Sequence, residues 1–135
     1  MFRSEDTTCL KNVPLVADMS SNILSEVYDV SRFGVIYAGA QKNMGPAGVT
    51  VVIIREDLIR DTDPMVPTML QYKTHSESNS LYNTPPCYSI YVCGLVYDWV
   101  KRKGGVGVIH AINEKKAALI YDYIDRSNLF KGTVE

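Results

Sequence analysis

The sequence predicts an α/β fold, on three observations. Short apolar runs come first, helical periodicities come last, and glycine, proline and serine punctuate the boundaries between them. Residues 13–17 are mostly apolar and lead into Asp18, which reads as a buried strand carrying a carboxylate at the C-terminal edge of a sheet. Residues 20–32 are polar and irregular, a connection. Val35-Ile36-Tyr37-Ala38 is a second short strand, and it runs into residues 39–48, dense in glycine and holding Pro46. Residues 49–54 are rich in β-branched side chains and give the strongest strand signal in the chain. Strand, tight turn and strand predict antiparallel pairing of the last two.

Residues 56–59 predict a brief helix. Residues 61–82 form a long polar stretch with Pro64, Pro67, Asn79 and several serines. A loop of that length inside a compact domain is usually functional or an interface arm. A helix then follows with Thr84 as N-cap and Pro85 at its first position. Ile90, Cys93, Gly94, Tyr97 and Val100 fall on one of its faces. Lys101-Arg102-Lys103 suits the negative end of its dipole, and Gly104-Gly105 stops it. A second helix is expected over residues 106–127, with a stripe of Ile109, Ile112, Ala117, Ile120, Tyr121 and Ile124, and with Asp122 and Arg126 as a surface ion pair. Short buried strands covered by later helices are the expected architecture.

The bulk numbers exclude several classes of function. A chain of 135 residues is one ordinary domain or a piece of a larger one, and 46% hydrophobic residues suffice for a core. A net charge of -1 gives no electrostatic case for nucleic acid or an anionic membrane. No apolar run is long enough to span a bilayer, and residues 1–10 lack the pattern of a signal peptide. Cys9, Cys87 and Cys93 form no C-x-x-C pair, so reduced thiols and a cytoplasmic location are expected. His75 and His110 stand far apart without zinc-ligand spacing, so no metal is expected. A serine-hydrolase elbow is missing, and the glycines of residues 39–48 match neither common phosphate-binding motif.

Lys42 is the first candidate for chemistry. A lysine among glycines at a strand end is ordinarily a solvated turn residue. Two facts lift it above that: it follows an apolar strand directly, and Asp18 also ends an apolar strand. Two strand ends in one sheet can converge on a ligand in the crevice beyond their carboxyl edge. That pairing has a chemical logic. Pyridoxal phosphate needs an amine to form an imine with its aldehyde, and an anion at its pyridine nitrogen so that the ring absorbs carbanion charge. The alternative for Asp18 is a plain turn or cap residue in Asp18-Met19-Ser20-Ser21.

Three segments sharpen this. They are Ala17-Asp18-Met19-Ser20-Ser21-Asn22, then Phe33-Gly34-Val35-Ile36-Tyr37-Ala38-Gly39-Ala40-Gln41-Lys42-Asn43 with Gly45-Pro46-Ala47-Gly48-Val49-Thr50, and then Ser80-Leu81-Tyr82-Asn83-Thr84-Pro85-Pro86. In sequence and in order they resemble the phosphoserine aminotransferase family, pyridoxal-phosphate enzymes of fold type I, class V, from about residue 13 to about residue 128. The resemblance implies that residues 1–135 are a single partial domain. It would be the central-to-C-terminal part of the cofactor-binding large domain, a mixed sheet covered by helices. It implies that Lys42 forms the imine and moves the substrate proton, that Asp18 pairs with the pyridinium nitrogen, and that Gln41 reaches the cofactor phosphate. It implies that Asn83 and Thr84 reach the phosphate held by the partner subunit of a homodimer joined through the arm at residues 61–84. The reaction implied is amino transfer from glutamate to 3-phosphohydroxypyruvate, giving phosphoserine and 2-oxoglutarate. It also implies a longer chain, with the ring-stacking aromatic and the substrate-binding basic residues outside this segment. A truncated form without turnover and another class V aminotransferase are the alternatives.

Overall fold

The computed structural model describes residues 13–133; Cys9 and the expectation for residues 1–10 lie outside them. Strands β1 (Val16–Asp18), β2 (Val35–Gly39) and β3 (Thr50–Ile54) form one sheet in that order. β1 runs parallel to β2, with Asp18 opposite Tyr37. β2 and β3 pair antiparallel, from Val35 opposite Ile54 to Gly39 opposite Thr50, as the turn between them predicts. The sheet is mixed, and the carboxyl ends of β1 and β2 lie side by side.

Only the central strand is buried as expected. Ala38 is fully enclosed and Ile36 is 2% exposed, whereas Val16 on β1 is 58% exposed and Val52 and Ile53 on β3 are each 41% exposed. The reason is lateral. β2 has a strand on both sides, while β1 and β3 are edges of this sheet among the described residues. The core lies on the face of Ile36, Ala38 and Ala40, with Met19, Met44 and Cys93. Part of its cover comes from the connection itself: Ile23, Leu24, Tyr28 and Phe33 pack against that face. Their spacing has no period, so the sequence shows only an irregular linker. A 3-10 turn at Val30–Arg32 ends it.

The stretch over residues 61–82 differs from the expected loop. It contains a 3-10 turn, Thr68–Leu70, and a short helix, α1 (Tyr72–Glu77). Polar contacts hold it, which apolar periodicity cannot reveal. Lys73 pairs with Asp61 at 2.7 Å and with Glu77 at 3.7 Å, and the Gln71 amide donates to the Val66 carbonyl at 2.7 Å. The brief helix expected before it is a single 3-10 turn, Glu56–Leu58.

Helix α2 (Cys87–Arg102) starts later than expected. Its N-cap is Pro86, and neither Thr84 nor any other side chain caps it. A residue before proline is pushed away from helical backbone, and Thr84 and Pro85 are both in that position. The C-terminus behaves as expected. Gly104 takes φ 104°, and the Gly105 N–H reaches back to the Val100 carbonyl at 3.0 Å, satisfying a carbonyl the helix leaves open. α2 buries Ser89, Cys93 and Val100, but Ile90 is half-exposed. Helix α3 (Val106–Arg126) matches its expected span yet buries no residue. Its stripe stays open, with Ile120 and Tyr121 both well exposed. Asp122 and Arg126 form no ion pair; instead the His110 Nε2 lies 3.6 Å from a Glu114 carboxylate oxygen. Of the expected covering helices, α2 alone reaches the core.

Candidate functional site

The parallel pairing of β1 and β2 fixes the site, because it carries Asp18 and the turn after Gly39 to one edge of the sheet. The backbone there leaves few polar groups loose. The Met19 N–H donates to the Tyr37 carbonyl at 2.8 Å, and the Ala40 N–H to the Val49 carbonyl at 2.9 Å. The N–H groups of Met44 and Gly45 both return to the Ala40 carbonyl, at 3.0 and 2.9 Å, so the turn bearing Lys42 is a closed coil of chain.

Helix α2 presses on the far side of that turn. The Ser89 hydroxyl donates to the Ala47 carbonyl at 2.9 Å, and the Tyr97 hydroxyl approaches the Met44 sulfur at 3.4 Å. Gly45 is required for the fit: a Cβ there would lie 2.8 Å from the Cys93 sulfur. Gly48 has φ 117°, and a Cβ there would lie 3.0 Å from the Ser89 hydroxyl. The lysine turn is thus clamped between the sheet and a helix.

Asp18, Gln41 and Lys42 are gathered at this edge. The Asp18 Oδ1 accepts both the Ser20 N–H at 2.9 Å and the Ser20 hydroxyl at 2.5 Å. The Gly39 N–H in turn donates to the Ser20 Oγ at 3.0 Å, which ties the end of β1 to the end of β2. Lys42 Nζ donates to the Ser21 hydroxyl at 3.0 Å. Asn43 donates to the Ile23 carbonyl at 2.6 Å, anchoring the turn to the connection. The Gln41 amide lies over the strand end, where a Cβ on Gly39 would come within 2.6 Å of its oxygen.

Electrostatics agree with the geometry. The two Ser20 bonds hold the Asp18 carboxyl below its ordinary value, with Lys42 adding a longer-range pull and the Tyr37 hydroxyl the smallest one. Burial opposes them only partly. Asp18 is an anion at neutral pH, and both of its hydrogen bonds from Ser20 fall on Oδ1. Among the described residues Lys42 and Asp18 make no ion pair with each other; the Lys42 amine is held by Ser21 instead. The turn-residue reading of Asp18 is what the structure shows, with both Ser20 bonds on one oxygen. Ser20 and Ser21 carry no role in the sequence reading. The signal for Ser20 is a hydroxyl two residues after an aspartate, the pattern of a side chain capping its own turn; Ser21, bound to Lys42 across 21 residues, has no such local signal.

Among the described residues no hydrogen bond ties Asn83 or Thr84 to this edge. Both are exposed, and among the described residues neither side chain makes a hydrogen bond. Two clefts also lie elsewhere. One of about 270 Å³ is lined by Val30, Phe33, Ile53 and Arg55, and one of about 420 Å³ by Val52, Leu70, Tyr72 and His75. Among the described residues no cluster could hold a metal ion, and no helix is long and apolar enough to cross a membrane.

Comparison with known proteins places these features in a family. The Aminotransferase class-V family matches residues 7–134. The phosphoserine aminotransferase of Listeria monocytogenes is 62% identical over 123 residues, which is 91% of this chain and 34% of that protein. A solved structure described as radiation damage of the Schiff base in phosphoserine aminotransferase aligns with TM-score 0.81 and 59% identity, over 86% of this chain and 32% of that one. A phosphoserine aminotransferase with PLP bound, from Trichomonas vaginalis, aligns with TM-score 0.80 and 40% identity, over 89% of this chain and 35% of that one. The chain thus spans about a third of the length of the relatives it matches.

Proposed function

The chain belongs to the aminotransferase class-V family, and from that premise we propose that it forms the cofactor-anchoring centre of a phosphoserine aminotransferase. The reaction is amino transfer between glutamate and 3-phosphohydroxypyruvate, with pyridoxal phosphate as cofactor. One observation carries this reading. Asp18 and Lys42 stand at the carboxyl ends of adjacent parallel strands, each tied by a serine and neither neutralising the other.

The residues present fit the cofactor. It needs an amine for its aldehyde, an acceptor for its ring N–H and donors for its phosphate. Lys42 would supply the first, Asp18 through the Oδ2 that Ser20 does not occupy the second, and the Gln41 amide would contribute to the third. When bound, the cofactor supplies the electron sink that takes up the charge left when the substrate Cα loses its proton. Within the chain, Asp18 holds a negative charge at the ring nitrogen, and Lys42 supplies an amine that accepts and returns the proton. The clamped turn keeps that amine in place while it does so. Positioning of this kind reduces the entropy lost on reaching the reacting geometry.

Asn83 and Thr84 complete the phosphate site across a homodimer boundary, and residues 61–84 form the joining arm. What supports this is their exposure in front of α2 and the apolar side chains the arm leaves open: Met65 at 88%, Leu70 at 72% and Leu81 at 63% exposed. The cytoplasm is the proposed location, consistent with free thiols at Cys87 and Cys93.

The test is borohydride reduction of the protein with pyridoxal phosphate, followed by peptide mapping. The label should fall on Lys42 and vanish in Lys42→Ala, which keeps its fold. Labelling chiefly at Lys73 or Lys101 would sink the assignment.

A further inference from the structure

The acid at the ring nitrogen must do two things: stay ionised, and hold one fixed orientation. A carboxylate on an exposed strand end is ionised at neutral pH without help, but it does not hold one orientation alone, because its side chain rotates freely in water. Asp18 lies at such an end and is exposed. The main restraint is one residue, with the Tyr37 hydroxyl adding the smallest share. Ser20 donates twice to one oxygen, from its backbone N–H at 2.9 Å and its hydroxyl at 2.5 Å. The same hydroxyl accepts the Gly39 N–H at 3.0 Å. That proton comes from the last residue of β2, and Lys42 follows three residues on. One hydroxyl therefore registers the acid against the strand that carries the amine.

We propose, resting on the reading above, that Ser20 is a positioning residue which locks Asp18 by Oδ1 to the end of β2 and reserves Oδ2 for the ring N–H. It touches the acid and the backbone, and its effect on the cofactor passes through Asp18. Serine suits the task because one hydroxyl donates and accepts at once. Alanine keeps the backbone N–H bond to Asp18 but loses the hydroxyl bond and the Gly39 tie. Threonine keeps both.

Three measurements test it. In the 135-residue chain, NMR of labelled aspartate should show Asp18 titrating below the ordinary carboxylate range. The charged and titratable groups that face it are Lys42 and Tyr37, and both are unchanged in the variants. Ser20→Ala should move the titration up toward the ordinary value, and Ser20→Thr should leave it low. Exchange of the Gly39 amide should be on the order of fivefold faster in Ser20→Ala, the loss of one hydrogen bond. Borohydride trapping of pyridoxal phosphate on Lys42 should need on the order of tenfold more cofactor in Ser20→Ala, for a charge-assisted bond. With an analogue whose ring nitrogen is replaced by C–H, that penalty should vanish.

An unchanged Asp18 titration in Ser20→Ala overturns the proposal, and so does an equal penalty with the analogue, which would mark a merely structural role. Should Ser20→Ala lose its fold, Ser20→Cys keeps a weak donor and should titrate between the two. A titration equal to the unmodified chain's then overturns it. Failure to trap the cofactor on Lys42 in the unmodified chain refutes the proposed function, while the titration and exchange measurements still decide the role of Ser20.

Discussion

The lysine turn and helix α3 are opposite solutions to the same problem of placing a segment. The turn carries Met44, 1% exposed, and closes its backbone on itself and on β3. Helix α3 satisfies its backbone internally over 21 residues and buries none of them. Both are well-formed, but only the first is held in place by this chain's own core. Where side chains are locked from several sides, geometry precise enough for chemistry can be kept. Where only helix hydrogen bonds act, apolar surface is left open for something else to cover.

The contrast should appear in stability. Met44→Ala should cost about 2–5 kcal/mol, a large-to-small change in a closed core. Leu119→Ala, on a residue 74% exposed in α3, should stay within about 0.5 kcal/mol. Chemical denaturation of both variants measures the gap, and equal losses would show that α3 is anchored after all. Glycine substitutions sharpen the point at smaller scale. Gly45→Ala should destabilise by about 1–3 kcal/mol, because its new methyl meets the Cys93 sulfur at 2.8 Å.

A functional version concerns the exposed pair. In the homodimeric enzyme proposed above, Asn83→Ala with Thr84→Ala should weaken cofactor retention by about tenfold or more while the melting of the fold is unmoved. Equilibrium dialysis of pyridoxal phosphate reads this, and unchanged retention would remove both residues from the site. The smallest effect has the opposite sign. Gly94→Ala, with nothing within 4 Å of the added Cβ, should stabilise α2 by up to about 1 kcal/mol. Thermal melts of the two glycine variants should therefore shift in opposite directions.

The same division governs what could be read from the sequence. Strands β2 and β3, their antiparallel turn and the span of α3 were legible, since each rests on local composition and period. So was the convergence of Asp18 and Lys42, because two strand-end polar residues in one sheet have few other arrangements. The late start of α2 was legible in principle, from two consecutive prolines, but the capping threonine is the louder local signal. Burial was not legible at β1, β3 or α3. Val16, Val52 and Ile120 are apolar in the sequence whether or not a neighbour lies over them. Helix α1 escaped because Lys73, Asp61 and Glu77 hold it through charge. Ser20 escaped because its value lies in a hydrogen bond to Gly39, a partner nineteen residues away in sequence.

The antiparallel union of β2 and β3 also sets an order of events in time. A hairpin closes on the order of 1–10 μs, because its first contacts are near neighbours along the chain. Gly39 and Thr50 are such neighbours, so the coil bearing Lys42 can form while most of the chain is still unstructured. β1 must then swing across its connection, and α2 must arrive with Ser89 and Cys93. Changes in the hairpin should therefore slow folding, whereas changes on the α2 face should chiefly hasten unfolding, two limbs that a chevron plot separates. The turn that bears Lys42 would be backed last by the helix, on a nucleus that was among the first structures to appear.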